Sequence, residues 1–338
     1  MPVGSDDTPV ASTAHHLGVL DGWRAFSILA VLAGHWLPLG PKRWELNAAA
    51  AAGGMAVFFT LSGFLIVRAL LGDPHVPTFL VRRVFRILPL AWLAMLAVAV
   101  VGWSDPTSLA FNLAFVANLP PDHLTRGGHH LWSLCVEVQF YFAIALAVAV
   151  AGRRGLALVP VATVAVTAVR IGAGETISIV TWHRVDEILA GGTLALIACR
   201  GRGLDRLGRV PVWTAPLLLG LLLLSASPAG GALAYARPYL AAAAVGASLV
   251  ALPPVMRRLW CSAPARYVAE ISYALYVIHG VLGEGWLGSG STGVKYAKRP
   301  LLIALTVGLA HLSTRFYERP ATAWGKRIAR RLRPAPRT

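Results

Sequence analysis

The chain has 338 residues, of which 56% are hydrophobic and only 14% are charged, and its mean hydropathy is +0.62. Because about a quarter of the residues in a soluble domain are charged, this composition excludes an ordinary soluble protein. The net charge of +16 comes from short basic clusters between apolar stretches, which is typical of membrane orientation signals and not of nucleic-acid binding. Three widely spaced cysteines, Cys135, Cys199 and Cys261, indicate neither a disulfide framework nor a zinc site.

Apolar segments follow one another along the chain after a polar start. Residues 1–18 lack the basic region of a cleaved signal peptide and are predicted to be a disordered tail. Beyond them, long apolar stretches without strand-type alternation predict an all-α, polytopic transmembrane helix bundle of about ten spans. The stretch from Ser108 to Leu119 is too short to cross and is predicted to be a re-entrant or interfacial helix. The predicted spans are 20–38, 50–71, 84–102, 131–151, 156–171, 184–199, 212–227, 237–253, 267–284 and 301–318.

Basic residues are distributed unequally between the loops that ten spans create. Nineteen lie on the side of the two termini, against seven on the opposite side. By the positive-inside rule, this asymmetry predicts that both termini are cytoplasmic. The nineteen are Arg82, Arg83, Arg86, Arg153, Arg154, Arg200, Arg202, Arg206, Arg209, Arg257, Arg258, Arg266, Arg319, Lys326, Arg327, Arg330, Arg331, Arg333 and Arg337. The seven are Lys42, Arg43, Arg126, Arg237, Lys295, Lys298 and Arg299.

The first predicted span carries two ionisable residues, Arg24 and His35. At about 100° per residue, their spacing places both on one helix face, about 16 Å apart along the axis. Ionisable groups inside a membrane favour a functional role. The structural alternative is an arginine that snorkels to one interface and a histidine that lies at the other.

Two further groups suggest a binding site. Arg82, Arg83 and Arg86 have i,i+3 and i,i+4 spacing, so they form one basic patch at the start of the third span. Arginine binds phosphates well, and the phosphates of coenzyme A would fit this patch, with membrane anchoring as the alternative. In the second span, Ser62 and Gly63 favour close helix packing, and Ser62 is also a candidate ligand contact.

A lone carboxylate, Glu137, lies about two turns inside the fourth span. A buried charge needs a partner, and Arg24, His35 or a loop arginine could supply it. In the ninth span, His279 is expected to make a structural hydrogen bond. The Gly191–Gly192 pair of the sixth span is expected to serve packing.

Seven segments, taken in chain order, resemble the acyltransferase family 3 membrane proteins. They are LDGWRAFSILAVLAGH, FFTLSGFLI, FLVRRVFRILP, LWSLCVEVQFY, RVDEILAGG, ISYALYVIH and YERP. The resemblance implies one membrane domain over residues 19–320, followed by a basic cytoplasmic tail over 321–338. Beside Glu137, Cys135 and Val138 depart from the commoner residues of the family, which affects expectations about the substrate more than about activity.

The resemblance implies an enzyme of the bacterial cytoplasmic (inner) membrane that uses no metal. It would move an acyl group, most commonly acetyl, from cytoplasmic acyl-CoA to a hydroxyl of a carbohydrate, glycolipid or glycosylated metabolite. The family's functional residues fall on Arg24 and His35, on Arg82, Arg83 and Arg86, and on Ser133 and Glu137.

From the residues and the resemblance together, we expect His35 to be the general base, because a neutral imidazole titrates near working pH. Glu137 is expected to orient His35 or stabilise its charged form, and Arg24 to contact the pantetheine of the donor or neutralise charge. The sequence leaves open whether transfer is direct or passes through an acyl-enzyme. The arginine patch and Ser62 are expected to hold acyl-CoA.

Two other functions fit parts of the sequence. Intramembrane His and Glu also suit a proton-coupled transporter or exporter, although the chain shows no internal repeat of the kind common in transporters. A non-catalytic lipid-binding scaffold would leave Arg24, His35 and Glu137 without a reason to be buried.

Overall fold

Thirteen α-helices account for most of residues 9–199 and 210–333, the part of the chain that the computed structural model describes, and this part contains no β-strand. The all-α prediction is therefore confirmed. The helices are α1 (Pro9–Trp36), α2 (Leu46–Gly72), α3 (Val76–Val100), α4 (Pro106–Leu113), α5 (Trp132–Ala151), α6 (Leu158–Ala173), α7 (Asp186–Ala198), α8 (Thr214–Ser225), α9 (Arg237–Val250), α10 (Pro254–Trp260), α11 (Ala263–Glu284), α12 (Thr292–Ser313) and α13 (Arg319–Arg331).

Each of the ten predicted spans overlaps one helix, and the predicted interfacial stretch overlaps the short helix α4. Helices α6 to α9 have only 12 to 16 residues, fewer than the ~20 that cross a hydrocarbon core. Among the described residues, four helical segments are long and apolar enough to cross a membrane. These segments are Lys42–Gly72, Val76–Val100, His129–Ala173 and Pro228–Val250.

Helices extend into both of the predicted terminal tails. Helix α1 begins at Pro9, so the first helix extends back into the predicted tail, and α13 occupies most of the predicted basic tail. Arg200, Arg202, Arg206, Arg209 and Arg337, which entered the orientation count, lie outside the described residues.

One arginine of the orientation count is buried inside the bundle. Arg237, which was counted on the side opposite the termini, is only 2% exposed and is ion-paired with Glu187 inside the bundle. Its place in the positive-inside comparison was therefore wrong, because a carboxylate on the neighbouring helix holds it in the interior.

Helices α2 and α7 cross at two glycines. A Cβ added at Gly63 would lie 1.8 Å from the carbonyl oxygen of Ile188, and one added at Gly191 would lie 1.9 Å from that of Thr60. Both positions therefore require a bare backbone, which confirms the packing role predicted for Gly63 and for the Gly191–Gly192 pair.

This contact gives a stability prediction. Changing Gly191 to alanine pushes a methyl group into the main chain of α2, and overpacking of this kind costs roughly 1–3 kcal/mol or more. We expect Gly191→Ala to lower the midpoint of thermal unfolding in detergent. Gly220→Ala is the matched control, because nothing lies within 4 Å of its new Cβ, and it should not lower the midpoint. Equal midpoints for the two variants would contradict the close crossing.

Candidate active site

Two cavities lie at opposite ends of helix α2. The larger, with a volume of about 1330 Å³, reaches Ala51 near the start of α2 and is called the histidine cavity because His35, His129, His130 and His279 line it. The smaller, about 210 Å³, reaches Ala69 near the end of α2 and is called the arginine cavity because Arg82, Arg83 and Arg86 line it. At 1.5 Å per residue, the two cavities are about 27 Å apart along α2.

His35 forms a pair with a histidine from the far end of the sequence. The last turn of α1 presents His35 to the histidine cavity, and its Nδ1 lies 2.9 Å from Nε2 of His279 on α11. The two rings are stacked, with centroids 5.1 Å apart, and Trp36 packs edge-on against the His279 ring. His35 keeps an exposed side chain, whereas His279 is 1% exposed. The outer imidazole is thus accessible and the inner one is fixed.

The hydrogen bonds of this pair determine its protonation pattern. Nδ1 of His279 lies 2.5 Å from the carbonyl oxygen of Tyr276, which can only accept, so this nitrogen carries the proton. In a neutral ring, Nε2 of His279 is then an acceptor, and His35 must donate to it from Nδ1. That leaves Nε2 of His35 with a free lone pair, which is the form a general base requires.

A second layer of hydrogen bonds supports the pair. His130, in the 3-10 turn before α5, approaches the carbonyl oxygen of Val277 with its Nε2 at 3.1 Å, and its ring lies 4.6 Å from that of His279. The Tyr276 hydroxyl donates to the His130 carbonyl and lies 2.6 Å from the Ser133 hydroxyl. Gly280 is needed here, because a Cβ would lie 2.1 Å from Nδ1 of His130.

One face of α5 carries polar side chains from the histidine cavity towards the arginine cavity. Ser133, Glu137 and Tyr141 are spaced four residues apart, so they lie in a row along the helix. The Glu137 carboxylate is 4% exposed and accepts hydrogen bonds from the hydroxyl of Ser62 on α2 and, at 2.6 Å, from that of Tyr141. This row crosses an interior that is otherwise largely apolar.

The arginine cavity begins where this row ends. The guanidinium of Arg83 lies 5.7 Å from the centre of the Tyr141 ring and 5.8 Å from that of Phe79, both within cation–π range. Arg24 pairs with Asp21 at 3.4 Å. The like charges of Arg86 and Arg83 are also near enough to repel its guanidinium group. A dense positive field therefore surrounds this end of the bundle.

Helix α13 forms part of the arginine cavity. It contributes Lys326 to the lining, and Trp324 packs edge-on against Phe85 of α3 with ring centroids 5.2 Å apart. After the helix, Arg333 pairs with Asp73 in the loop between α2 and α3. Partial desolvation opposes a lower pKa of Asp73, but hydrogen bonds from Arg333 and from the backbone outweigh it and lower that pKa. The carboxylate thus stays charged and anchors the chain after α13.

The structure places the predicted site residues in three groups along the bundle. Arg24, Arg82, Arg83 and Arg86 gather at the arginine end, and the Ser62–Glu137 pair lies between the two cavities. His35 lies at the other end. Its hydrogen-bond partner is His279, not Glu137. The structure therefore does not show the predicted contact between Glu137 and His35 among the described residues, and the Glu137 carboxylate is held by Ser62 and Tyr141.

Several site residues were not recognised from the sequence. His279 was expected to be structural, yet Tyr276, His279, Gly280 and Gly283 have the i, i+3, i+4, i+7 spacing of one helix face and all line the histidine cavity. The His129–His130 doublet was a second signal. Lys326 carried no signal beyond its place in a run of basic residues.

Comparison with known proteins supports one family. The model of a family described as an acyltransferase domain matches residues 17–308. "Putative membrane-bound transacylase BcsY" of Komagataeibacter xylinus is 28% identical over 295 residues, covering 77% of this chain and 71% of that protein. "Nodulation protein 10" of Rhizobium leguminosarum bv. viciae is 26% identical over 159 residues, covering 38% of this chain and 43% of that protein. No solved structure matches the chain.

Proposed function

The chain belongs to the acyltransferase family whose model matches residues 17–308, and from this premise we propose that it moves an acyl group from acyl-CoA to a hydroxyl of a carbohydrate, glycolipid or metabolite. The observation that carries the proposal is the His35–His279 pair, which leaves a basic nitrogen facing a cavity of about 1330 Å³. A cavity of this size accommodates a sugar-sized acceptor.

The arginine cavity suits the nucleotide end of the donor. Arginine binds phosphate oxygens in a bidentate manner, and coenzyme A carries a diphosphate and a 3′-phosphate. Arg82, Arg83 and Arg86 supply three guanidinium groups, and Lys326 adds a fourth cation from α13. We assign the donor phosphates to these four side chains.

The polar row on α5 suits the pantetheine arm. The arm contains two amides and a hydroxyl, which need hydrogen-bond partners if they leave water. Ser62, Glu137 and Tyr141 supply donors and acceptors between the two cavities. In this arrangement, the arm enters at the arginine cavity and carries its thioester towards His35. Acetyl is the simplest acyl group it would deliver.

At the histidine cavity, Nε2 of His35 takes the proton from the acceptor hydroxyl as its oxygen attacks the thioester carbonyl carbon. The tetrahedral intermediate collapses, the carbon–sulfur bond breaks, and the thiolate takes the proton back from the imidazolium. During the step, the charged His35 donates from Nδ1 to neutral His279, which stabilises the imidazolium. The products are the acylated acceptor and free coenzyme A, and no metal is used.

The membrane arrangement follows from the same assignment. We propose that the ten helices that overlap the predicted spans cross the bacterial cytoplasmic membrane with both termini inside. The arginine cavity, which lies beside the start of α3 and beside α13, would then face the cytoplasm, where acyl-CoA is made. Short helices such as α7 do not span the full hydrocarbon core, and neighbouring helices of the bundle would shield their ends from lipid.

The test is acyl transfer by the purified protein in lipid nanodiscs with labelled acetyl-CoA and a mixture of oligosaccharide acceptors. We expect label in the acceptor, and we expect coenzyme A to raise the thermal unfolding midpoint, because a ligand that binds only the folded state stabilises it. A 3′-dephospho analogue should stabilise less. Uptake of an acceptor into sealed vesicles without acylation would instead identify a transporter.

A further inference from the structure

A buried ion cluster adjoins the histidine cavity where α6, α7 and α9 meet. Arg170 pairs with Asp186, and both Arg184 and Arg237 pair with Glu187. All five side chains are at most 2% exposed. Three guanidinium groups face two carboxylates, so the cluster carries a net positive charge in the interior.

The excess charge lies on Arg184. Arg170 and Arg237 both donate to the carbonyl oxygen of Thr176, at 3.2 and 2.8 Å. In contrast, neither Nε nor Nη1 of Arg184 has a hydrogen-bond partner among the described residues, although Nη1 lies 3.2 Å from the Glu187 carboxylate.

Arg184 is also the member of the cluster that lines the histidine cavity. Its guanidinium lies 5.5 Å from the centre of the Trp132 ring and 5.8 Å from that of Phe59, so aromatic faces hold it in place. The unpartnered carboxylate oxygens of Asp186 and Glu187 belong to residues that do not line the cavity. The cavity wall therefore presents a cation without presenting its counter-charges.

The wall formed by α12 repeats this pattern. Lys295 and Arg299 line the cavity, and Nε and Nη1 of Arg299 are buried without a hydrogen-bond partner in the described ranges. Arg126 also lines it and pairs with Glu284 at 3.7 Å. Four cations thus face one carboxylate around the cavity.

We propose that the histidine cavity binds an anionic acceptor, a hydroxyl compound that also carries a phosphate or carboxylate, with its charge on Arg184 and Arg299. This inference rests on the proposed function and narrows its substrate class. A buried guanidinium without a full set of acceptors is costly, and an anionic group would satisfy it. The acceptor hydroxyl then lies towards His35.

The test measures binding in the absence of donor, by calorimetric titration of the protein in nanodiscs. Three sugar probes keep the anomeric position blocked: glucose 1-phosphate, methyl glucuronide and neutral methyl glucoside. We expect at least one of the two anionic sugars to bind about tenfold or more tightly than methyl glucoside, as befits hydrogen bonds to charged groups. The phosphate and carboxylate arms distinguish the two kinds of anion.

Two variants distinguish binding by the cavity-lining cations from a general effect of the protein's surface charge. Arg299→Gln should weaken binding of the preferred anionic sugar about tenfold or more and leave methyl glucoside unchanged. Arg43→Gln is the control, because it removes the same charge from the loop between α1 and α2 and does not line the cavity. Arg299→Gln is preferred to a change at Arg184, whose packing between aromatic rings makes misfolding an expected complication.

The inference is overturned if neither anionic sugar binds more tightly than methyl glucoside, or if Arg43→Gln weakens binding as much as Arg299→Gln does. Failure of the proposed function would look different. In that case, labelled acetyl-CoA would acylate no acceptor, whatever the charge preference measured by titration.

Discussion

Replacing His35 with alanine should lower the rate of acyl transfer by about 10²–10⁴-fold while leaving the protein folded, as expected for loss of a general base. The side chain is exposed to the histidine cavity and its Nε2 has no hydrogen-bond partner among the described residues, so its removal opens no cavity in the core. The measurement is the steady-state rate with labelled acetyl-CoA, together with the thermal unfolding midpoint. His311→Ala is the control, since His311 lies on α12 and does not line the histidine cavity.

The partner of His35 makes this prediction more specific. His279→Ala removes the acceptor that fixes Nδ1 of His35, so it should lower the rate as well. Because the two rings act as one unit, the double variant should be little slower than His35→Ala alone. Near-normal transfer by His35→Ala, or fully additive losses in the double variant, would remove the histidine pair from the mechanism.

Neutralising the arginine cavity should abolish tight binding of coenzyme A. Arg82, Arg83 and Arg86 line the cavity together, and a hydrogen bond to a charged group contributes about 1.5–3 kcal/mol. The triple glutamine variant removes three guanidinium groups. Loss of two such contacts is enough to weaken coenzyme A binding by roughly 10²–10⁴-fold. Lys326→Gln should have a smaller effect in the same direction. Titration with coenzyme A and with pantetheine, which lacks the phosphates, measures both effects.

A matched control for the triple variant lies at the same end of the bundle. Arg257 and Arg258 on α10 are exposed and do not line the arginine cavity. Changing both to glutamine should leave coenzyme A binding nearly unchanged. If the triple variant bound coenzyme A as tightly as the unmodified protein, the donor phosphates would have to lie elsewhere. Pantetheine affinity should be the same in all these proteins.

The helices were predictable because each one corresponds to a continuous apolar stretch whose length can be read directly from neighbouring residues in the sequence. The same holds for the patch of Arg82, Arg83 and Arg86, whose members are neighbours on one helical turn. Ser62 and Glu137 were each singled out, but their contact joins residues 75 positions apart and no local pattern predicts it. His279 was underrated for the same reason, since its partner His35 is 244 positions away.

Two other features depend on the folded arrangement. Arg237 resembles a loop arginine in the sequence, and only the packing of α9 against α7 shows that Glu187 holds it in the interior. Helix α13 lies beyond the family match over residues 17–308, so the resemblance gave no reason to connect Lys326 with the arginine patch. The number of spans likewise depends on how short helices are supported by their neighbours.

The separation of about 27 Å between the two cavities has a consequence for how the cell is organised. Free coenzyme A would leave through the arginine cavity and the acylated acceptor through the histidine cavity, so the two products would be released at opposite ends of the bundle. Coenzyme A could then be acylated again in the compartment where acyl-CoA is made, and neither acyl-CoA nor free coenzyme A would have to cross the membrane. If the proposed orientation holds and the acceptor reaches the histidine cavity from outside the cell, acylation of extracellular molecules would draw on intracellular acyl-CoA, and only the acyl group would cross the membrane.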